Sequence, residues 1–237
     1  MENDLKHYEP HSKKSGQKLN WLRASVLGAN DGIVSIASIV VGVAGASNSS
    51  GFILTAGVAG LVAGALSMGV GEYVSVSTQR DTEKALIEKE RREQEENSDF
   101  EFEELTEIYQ AKGLSAETAR IVAHELTAHD ALTAHLEAEL GIDQHNLTDP
   151  WHAAFASALA FFCGAIIPIA MIVFSPARLR IPITFFGVFV ALVITGSLSA
   201  HAGGASKRRA TVRVVFGGLL AMVITFGIGK IFGIVGI

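Results

Sequence analysis

Five long apolar stretches, roughly residues 22 to 46, 52 to 77, 151 to 175, 181 to 202 and 211 to 235, constrain this chain more than any other feature. About 20 mainly apolar residues are needed to cross a bilayer as a helix, and each stretch is long enough. Polar or turn residues bound them: Ser47 to Gly51, Asp149-Pro150, Ser175-Pro176 and Ser206 to Arg209. The 237 residues are 49% hydrophobic and only 18% charged, which sets the chain apart from an average soluble domain. The expected fold is an all-α membrane protein with five transmembrane helices and a charged helical insert between the second and third.

The charges are unevenly placed. Most Asp and Glu fall between Glu72 and Asp149, so the net charge of −5 describes that region and gives no sign of a nucleic-acid partner. Lys and Arg are frequent in the N-terminal tail and in residues 78 to 149, absent from the 47 to 51 loop, and present again as Lys207, Arg208 and Arg209. Such a bias orients membrane proteins with the basic loops inside. The expected organisation is therefore a cytoplasmic tail over 1–20, transmembrane helices over 21–77, a cytoplasmic helical domain over 78–149, and three more transmembrane helices over 150–237. The first twenty residues are polar and show no cleavable signal. Cys163 is the single cysteine and can form no intrachain disulfide.

The second stretch has no stop signal at its inner end. "STQRDTEKALIEKERREQEE" continues with helix formers until Asn97, so one helix is expected to run on from the membrane by about 30 Å. "FEFEELTEIYQAKG" places Phe102, Leu105, Ile108 and Tyr109 at amphipathic spacing, and "LSAETARIVAHELTAHDALTAHLEAELG" reads as one interrupted helix or two. Gly113 and Gly141 are plausible stops.

Within the apolar stretches, Asp31 is the costliest residue, at roughly 2.5 to 3.5 kcal/mol for a carboxylate in a bilayer. By default such a group marks an ion or proton path. Met68 and Glu72 lie four apart and share a helical face. Carboxylate oxygen with a thioether suits a transition metal better than Mg²⁺ or Ca²⁺. Pro168 either kinks the third stretch or frees a carbonyl within it. In the insert, Glu93 and Glu96 form one i,i+3 pair and Glu104 and Glu107 another, with His135 and Glu139 four apart on a later helix. Acidic pairs from adjacent helices can converge into a carboxylate cage for metal ions; acidic runs on exposed helices are also commonly solvated faces. "HELTAH" is no zinc-protease motif, because His124 and His129 are five apart and point about 140° from each other. No nucleophile and base are arranged for an enzyme, so no catalytic residue is assigned.

"WLRASVLGANDGIVS" (21 to 35), "GLVAGALSMGVGEYVSVSTQRD" (60 to 81), the "IP" of 167 to 168 and "GSLSAHAGGASKRRATVRVVFGGLLAM" (196 to 222) together resemble the vacuolar iron transporter family in a bacterial form without a fused ferritin-like domain. The resemblance implies a five-helix homodimer that moves Fe²⁺, and often Mn²⁺, out of the cytosol in exchange for protons, with no permanent cofactor. It implies transport roles for Asp31, Met68 and Glu72. It also implies a cytoplasmic metal-binding domain using Glu93, Glu96, Glu104, Glu107 and Glu139, with His135 standing where a Met ligand is expected. The expected location is a bacterial plasma membrane, with the N-terminus and residues 78–149 cytoplasmic. The rival expectation is a membrane-anchored metal sensor or storage scaffold, which would use the same cytoplasmic glutamates without needing Asp31 in the bilayer.

Overall fold

Seven α-helices, and no strand, occur among the described residues of this computed structural model, which are 15–202, 204 and 206–235. They are α1 (Ser15–Ala46), α2 (Ser50–Glu96), α3 (Ser98–Ala111), α4 (Ala116–His135), α5 (Pro150–Phe174), α6 (Arg180–Ala202) and α7 (Lys207–Val235), with a π-helical turn over Leu136–Leu140. Five of them, α1, α2, α5, α6 and α7, are long and apolar enough to cross a membrane. Residues 1–14 of the expected cytoplasmic tail lie outside the described residues, and α1 takes up the rest of it from Ser15. No proline stands between Ser15 and Ala46 to delay the helix.

The chain divides into two compact units, one of residues up to Val74 together with Pro150 onward, the other Ser75–Asp149, and the first boundary falls inside α2. In the first unit α1 packs against α5, α6 and α7. Its Ile33, Ile36, Ala37, Val40 and Val41 are all buried. Lipid tails are as apolar as leucine, so helices associate in a bilayer through close packing and not through apolarity alone. Glycine supplies that closeness here. A Cβ at Gly28 would stand 2.6 Å from the Ser157 carbonyl oxygen, one at Gly32 would overlap the Phe161 carbonyl, and one at Gly164 would overlap Ala29 from the other side. Pro168 is buried inside α5, which runs unbroken from Pro150 to Phe174.

α2 lies along the same core. Gly57 faces Val40, Gly60 faces Ile36 and Ile39, and Gly64 receives the ring of Phe161. The start of α6 is tied to the α1–α2 loop by Arg180, whose guanidinium donates to the Ser50 hydroxyl at 3.3 Å and to the Asn48 carbonyl at 3.5 Å. Along α2 every fourth residue from Leu54, namely Val58, Val62, Leu66, Val70 and Val74, is exposed.

The second unit is built from the rest of α2, α3, α4 and the π-turn. Leu105 of α3 is fully buried with Ala123 and Ala134, flanked by Phe102, Tyr109, Leu126 and Ala138. Ser115 caps α4 by accepting the Thr118 amide at 3.2 Å. Asp130 (φ −162°, ψ 95°) leaves helical geometry inside α4, and its carboxylate accepts the Thr133 amide at 3.1 Å and the Thr133 hydroxyl at 2.6 Å. Those bonds are an N-cap for a fresh helical segment, so the stretch is two helices joined at Asp130. Gly141 (φ 65°) ends the π-turn in the left-handed region that glycine enters without strain.

Candidate metal centre

Three elements of the second unit bring acidic and imidazole groups together. Glu90 of α2, Glu101 in the first turn of α3 and His135 at the end of α4 are 4%, 6% and 1% exposed. The Nδ1 of His135 lies 3.1 Å from Glu90 Oε1 and 3.5 Å from Glu101 Oε2. Glu139, exposed on the π-turn, completes a group in which one ligand atom each from Glu90, His135 and Glu139 lie within 4.8 Å of one another. Local sequence explains the convergence. The restart at Asp130 sets the face that His135 presents, and the π-turn carries Glu139 beside it.

The group is poorly satisfied as it stands. Glu90 Oε1 and His135 Nδ1 are buried, and neither makes a hydrogen bond of adequate geometry. An orphaned buried polar atom costs about 1–3 kcal/mol. Burial, then the carboxylates of Glu139, Glu101, Glu93 and Glu104, pushes the Glu90 carboxyl up to about 7. Burial also raises Glu101, helped by Glu104, Glu93 and Glu139. The His135 imidazole is pushed below its ordinary value by burial, against the pull of Glu104 and Glu139. A neutral imidazole with an accessible lone pair, amid carboxylates that repel one another, is a donor set for a divalent first-row metal: nitrogen suits iron and zinc, and oxygen suits manganese. A cation there would satisfy both orphaned atoms and screen the repulsion.

In the first unit, Asp31 is half-buried on α1 and accepts the Ser35 hydroxyl at 2.6 Å. One face of α1 continues the polar track: Ser38, a turn beyond Ser35, is buried with an unpartnered hydroxyl. Val40 opposite Gly57 and Ile36 opposite Gly60 set an antiparallel register between α1 and α2. At the common rise per residue that register puts Asp31 roughly level with residues 65 to 68 of α2. Met68, which packs on the apolar core, therefore stands near the level of Asp31. Glu72, half-buried, follows one turn later.

A model described as the VIT family matches residues 22–230. The "Vacuolar iron transporter" of Acanthamoeba castellanii is 45% identical over 222 residues, 93% of this chain and 82% of that protein. "Vacuolar iron transporter homolog 2" of Arabidopsis thaliana is 36% identical over 228 residues, 96% of this chain and 90% of its own length. This chain belongs to the VIT family. "VIT-like transporter 1b" of Glycine max is also similar, at 34% identity over 92% of this chain and 78% of that protein.

Within this VIT-family chain, the residues expected from sequence fall into two groups. His135 and Glu139 lie in the convergent group. Glu93 and Glu104 are half-buried and contribute to its field, although Glu93 also pairs with Lys89 at 2.9 Å. Glu96 and Glu107 are exposed and belong to no such group among the described residues. Glu90 and Glu101 are the buried members that sequence reasoning missed. The periodicity of α3 carries the signal. At 100° per residue, Glu101 lies about 70° from the direction in which Phe102, Leu105 and Tyr109 point, whereas Glu107 lies about 170° from it. Glu90 with Glu93 and Glu101 with Glu104 are the more buried acidic pairs of the two helices.

Proposed function

We propose that this VIT-family chain exports Fe²⁺, and also Mn²⁺, from the cytosol in exchange for protons. The names of its relatives support iron as cargo, and the mixed carboxylate and imidazole donors suit both ions. In this reading residues 78–149 face the cytosol. Glu90, His135 and Glu139 capture the ion there, with Glu101, Glu93 and Glu104 supplying charge around it. Glu72, Met68 and Asp31 then carry it through the membrane unit, and protonation of those carboxylates from the far side releases it. The protein works as a homodimer, with the exposed stripe from Leu54 to Val74 on α2 as the surface a second copy would cover. The relatives are named for the vacuole; we assign this chain to a bacterial plasma membrane, where the same direction of export holds.

The observation that carries transport over storage is a half-buried carboxylate at Asp31, inside a helix long and apolar enough to cross a membrane, that accepts the Ser35 hydroxyl. A sensor or store has no use for it. Reconstituted protein should move Mn²⁺ across vesicles faster with an opposing proton gradient than without one. Asp31→Asn should abolish that flux while the protein still inserts and folds. No flux in the parent under either gradient would return the protein to the class of membrane-anchored metal stores, and full flux in the Asn variant would remove Asp31 from the path.

A further inference from the structure

No Asp or Glu follows Asp149 in the sequence. In the first unit Asp31 and Glu72 are the only acids among the described residues, and Asp31 is engaged by Ser35. Against that background α7 opens with Lys207, Arg208 and Arg209 and adds Arg213 one turn later. Arg208, Arg209, Val212, Arg213 and Phe216 line one open cleft. Arg209, Val212, Arg213 and Phe216 follow i, i+3, i+4, i+7 spacing and so share a helical face. Val212 and Phe216 are 60% and 69% exposed. The apolar run of α7 begins at about residue 211, just after Lys207, Arg208 and Arg209, so this surface stands where a bilayer would change from headgroup to hydrocarbon.

A basic bias that served only to orient the chain would need charge near the membrane but no convergence. Here Arg208, Arg209 and Arg213 line the same open surface as the exposed Val212 and Phe216. Guanidinium forks match phosphate oxygens in pairs, and the apolar part of that surface continues toward the hydrocarbon where acyl chains begin. A free inorganic anion would leave Val212 and Phe216 without a role. We propose that the start of α7 is a binding site for an anionic phospholipid: Arg208, Arg209 and Arg213 hold the headgroup phosphate, and Val212 and Phe216 cover the glycerol and the first acyl carbons. The site is independent of the metal reading, since it shares no residue with it.

The test is lipid retention by the full-length protein in detergent, read by native mass spectrometry with phosphatidylglycerol and phosphatidylcholine supplied in equal amounts. The parent should retain phosphatidylglycerol at least tenfold over phosphatidylcholine. The triple variant Arg208→Gln, Arg209→Gln, Arg213→Gln should bind phosphatidylglycerol more weakly by on the order of 100-fold, since each basic group near an anionic surface counts severalfold. Arg178→Gln, which removes a charge from the exposed α5–α6 loop, should keep the parent's preference. Equal retention of the two lipids by the parent would overturn the proposal whatever the variants do. So would an equal loss in Arg178→Gln, which would mean net charge alone is at work. Glycerol 3-phosphate competing as well as the intact lipid would also overturn it, by making this a site for a soluble phosphate.

Discussion

Asp31 and Glu90 are both drawn away from water, one in each unit, and they differ in what faces the carboxylate. Asp31 is half-buried and takes a short hydrogen bond from Ser35 on its own helix; its surroundings are otherwise set by tight glycine contacts among α1, α2 and α5. Glu90 is almost fully buried, faces Glu101, Glu139 and an imidazole from other elements, and leaves an oxygen unpartnered. A lone carboxylate in a bilayer must be satisfied locally to be tolerated at all. A cluster in a water-facing domain can stay unsatisfied as long as something in solution completes it. In the proposed function the first arrangement serves an ion that passes, and the second an ion that is held.

The packing of the two units follows the same division. The membrane unit has a continuous apolar core running through α1, α2, α5, α6 and α7. The buried apolar residues of the second unit are Val76, Leu105, Ala119, Ala123, Ala134 and Leu136, a small core beside acids that repel one another around Glu90. A ligand that binds the folded form stabilises it by mass action, so Mn²⁺ should raise the unfolding temperature of the second unit and leave that of the first nearly unchanged.

The sharpest way to break the comparison is to exchange the consequences of the two sites. Glu90→Ala combined with His135→Ala in the full-length protein should weaken Mn²⁺ binding at equilibrium by roughly 100-fold or more, the upper part of the range for disturbing a metal site, while Asp31→Asn should change it less than threefold. Isothermal titration of the three proteins settles the matter. Comparable losses from Asp31→Asn would mean that the equilibrium site lies in the membrane unit and that the two carboxylates do not divide the work as described.

A second effect, smaller but more specific, comes from protons. Glu90 is raised from an ordinary 4.5 to about 7, and metal binds only its ionised form. Mn²⁺ affinity should therefore increase as pH rises through about 7 and level off above it, with proton release on binding at the lower end. His135 is held below its ordinary value by burial, and loss of its proton would add affinity in the same direction, since metal binds the neutral imidazole. The metal-free fold runs the other way. Between the unfolded and folded values of Glu90 the folded state holds the extra proton, so stability without metal falls as pH rises toward 7. Unfolding temperatures at pH 5.5 and 7.5, with and without Mn²⁺, should show metal helping most at the higher pH. An affinity flat from pH 6 to 8 would remove Glu90 from the ligand set.

Much of the membrane unit can be read from residues alone, because a bilayer allows few solutions: a long apolar run with glycines at spacings three and four has to be a closely packed helix. The onset of α1 and α7 a few residues ahead of their apolar runs could not be read that way, since Ser15 to Asn20 mixes weak helix formers such as Gly16 and Asn20 with polar residues, and Lys207 to Ala210 favours helix without adding an apolar run. The acidic unit is harder. Every glutamate in "EKERREQEE" and "EFEELTE" is a chemically adequate ligand, so type and spacing leave the register undecided by one turn. Burial singles out Glu90 and Glu101, and for Glu90 it depends on the meeting of α2 with His135 at the far end of α4, which no local pattern fixes. The second signal, Asp130 as a cap inside an apparently continuous helix, was present in "HDALTAH" but looks ordinary until the break is seen.

That break gives the smallest effect and the finest test. Asp130 touches none of the proposed ligands; it only restarts the segment that presents His135 and Glu139, through its two bonds to Thr133. Those same bonds hold its carboxyl below the usual range. Asp130→Ala should cost about 1 kcal/mol, the common loss for an N-cap, while Asp130→Asn and Asp130→Ser, which can still accept the Thr133 amide, should recover most of it. If the cap sets the site, Mn²⁺ affinity in the Ala variant should fall severalfold and return in the Asn and Ser variants, with its pH midpoint unmoved because Glu90 is untouched. Affinity unchanged in all three would show that α3 and α2 hold the site without the restart, and the contrast with Asp31, which takes its hydrogen bond from Ser35 on its own helix, would then disappear.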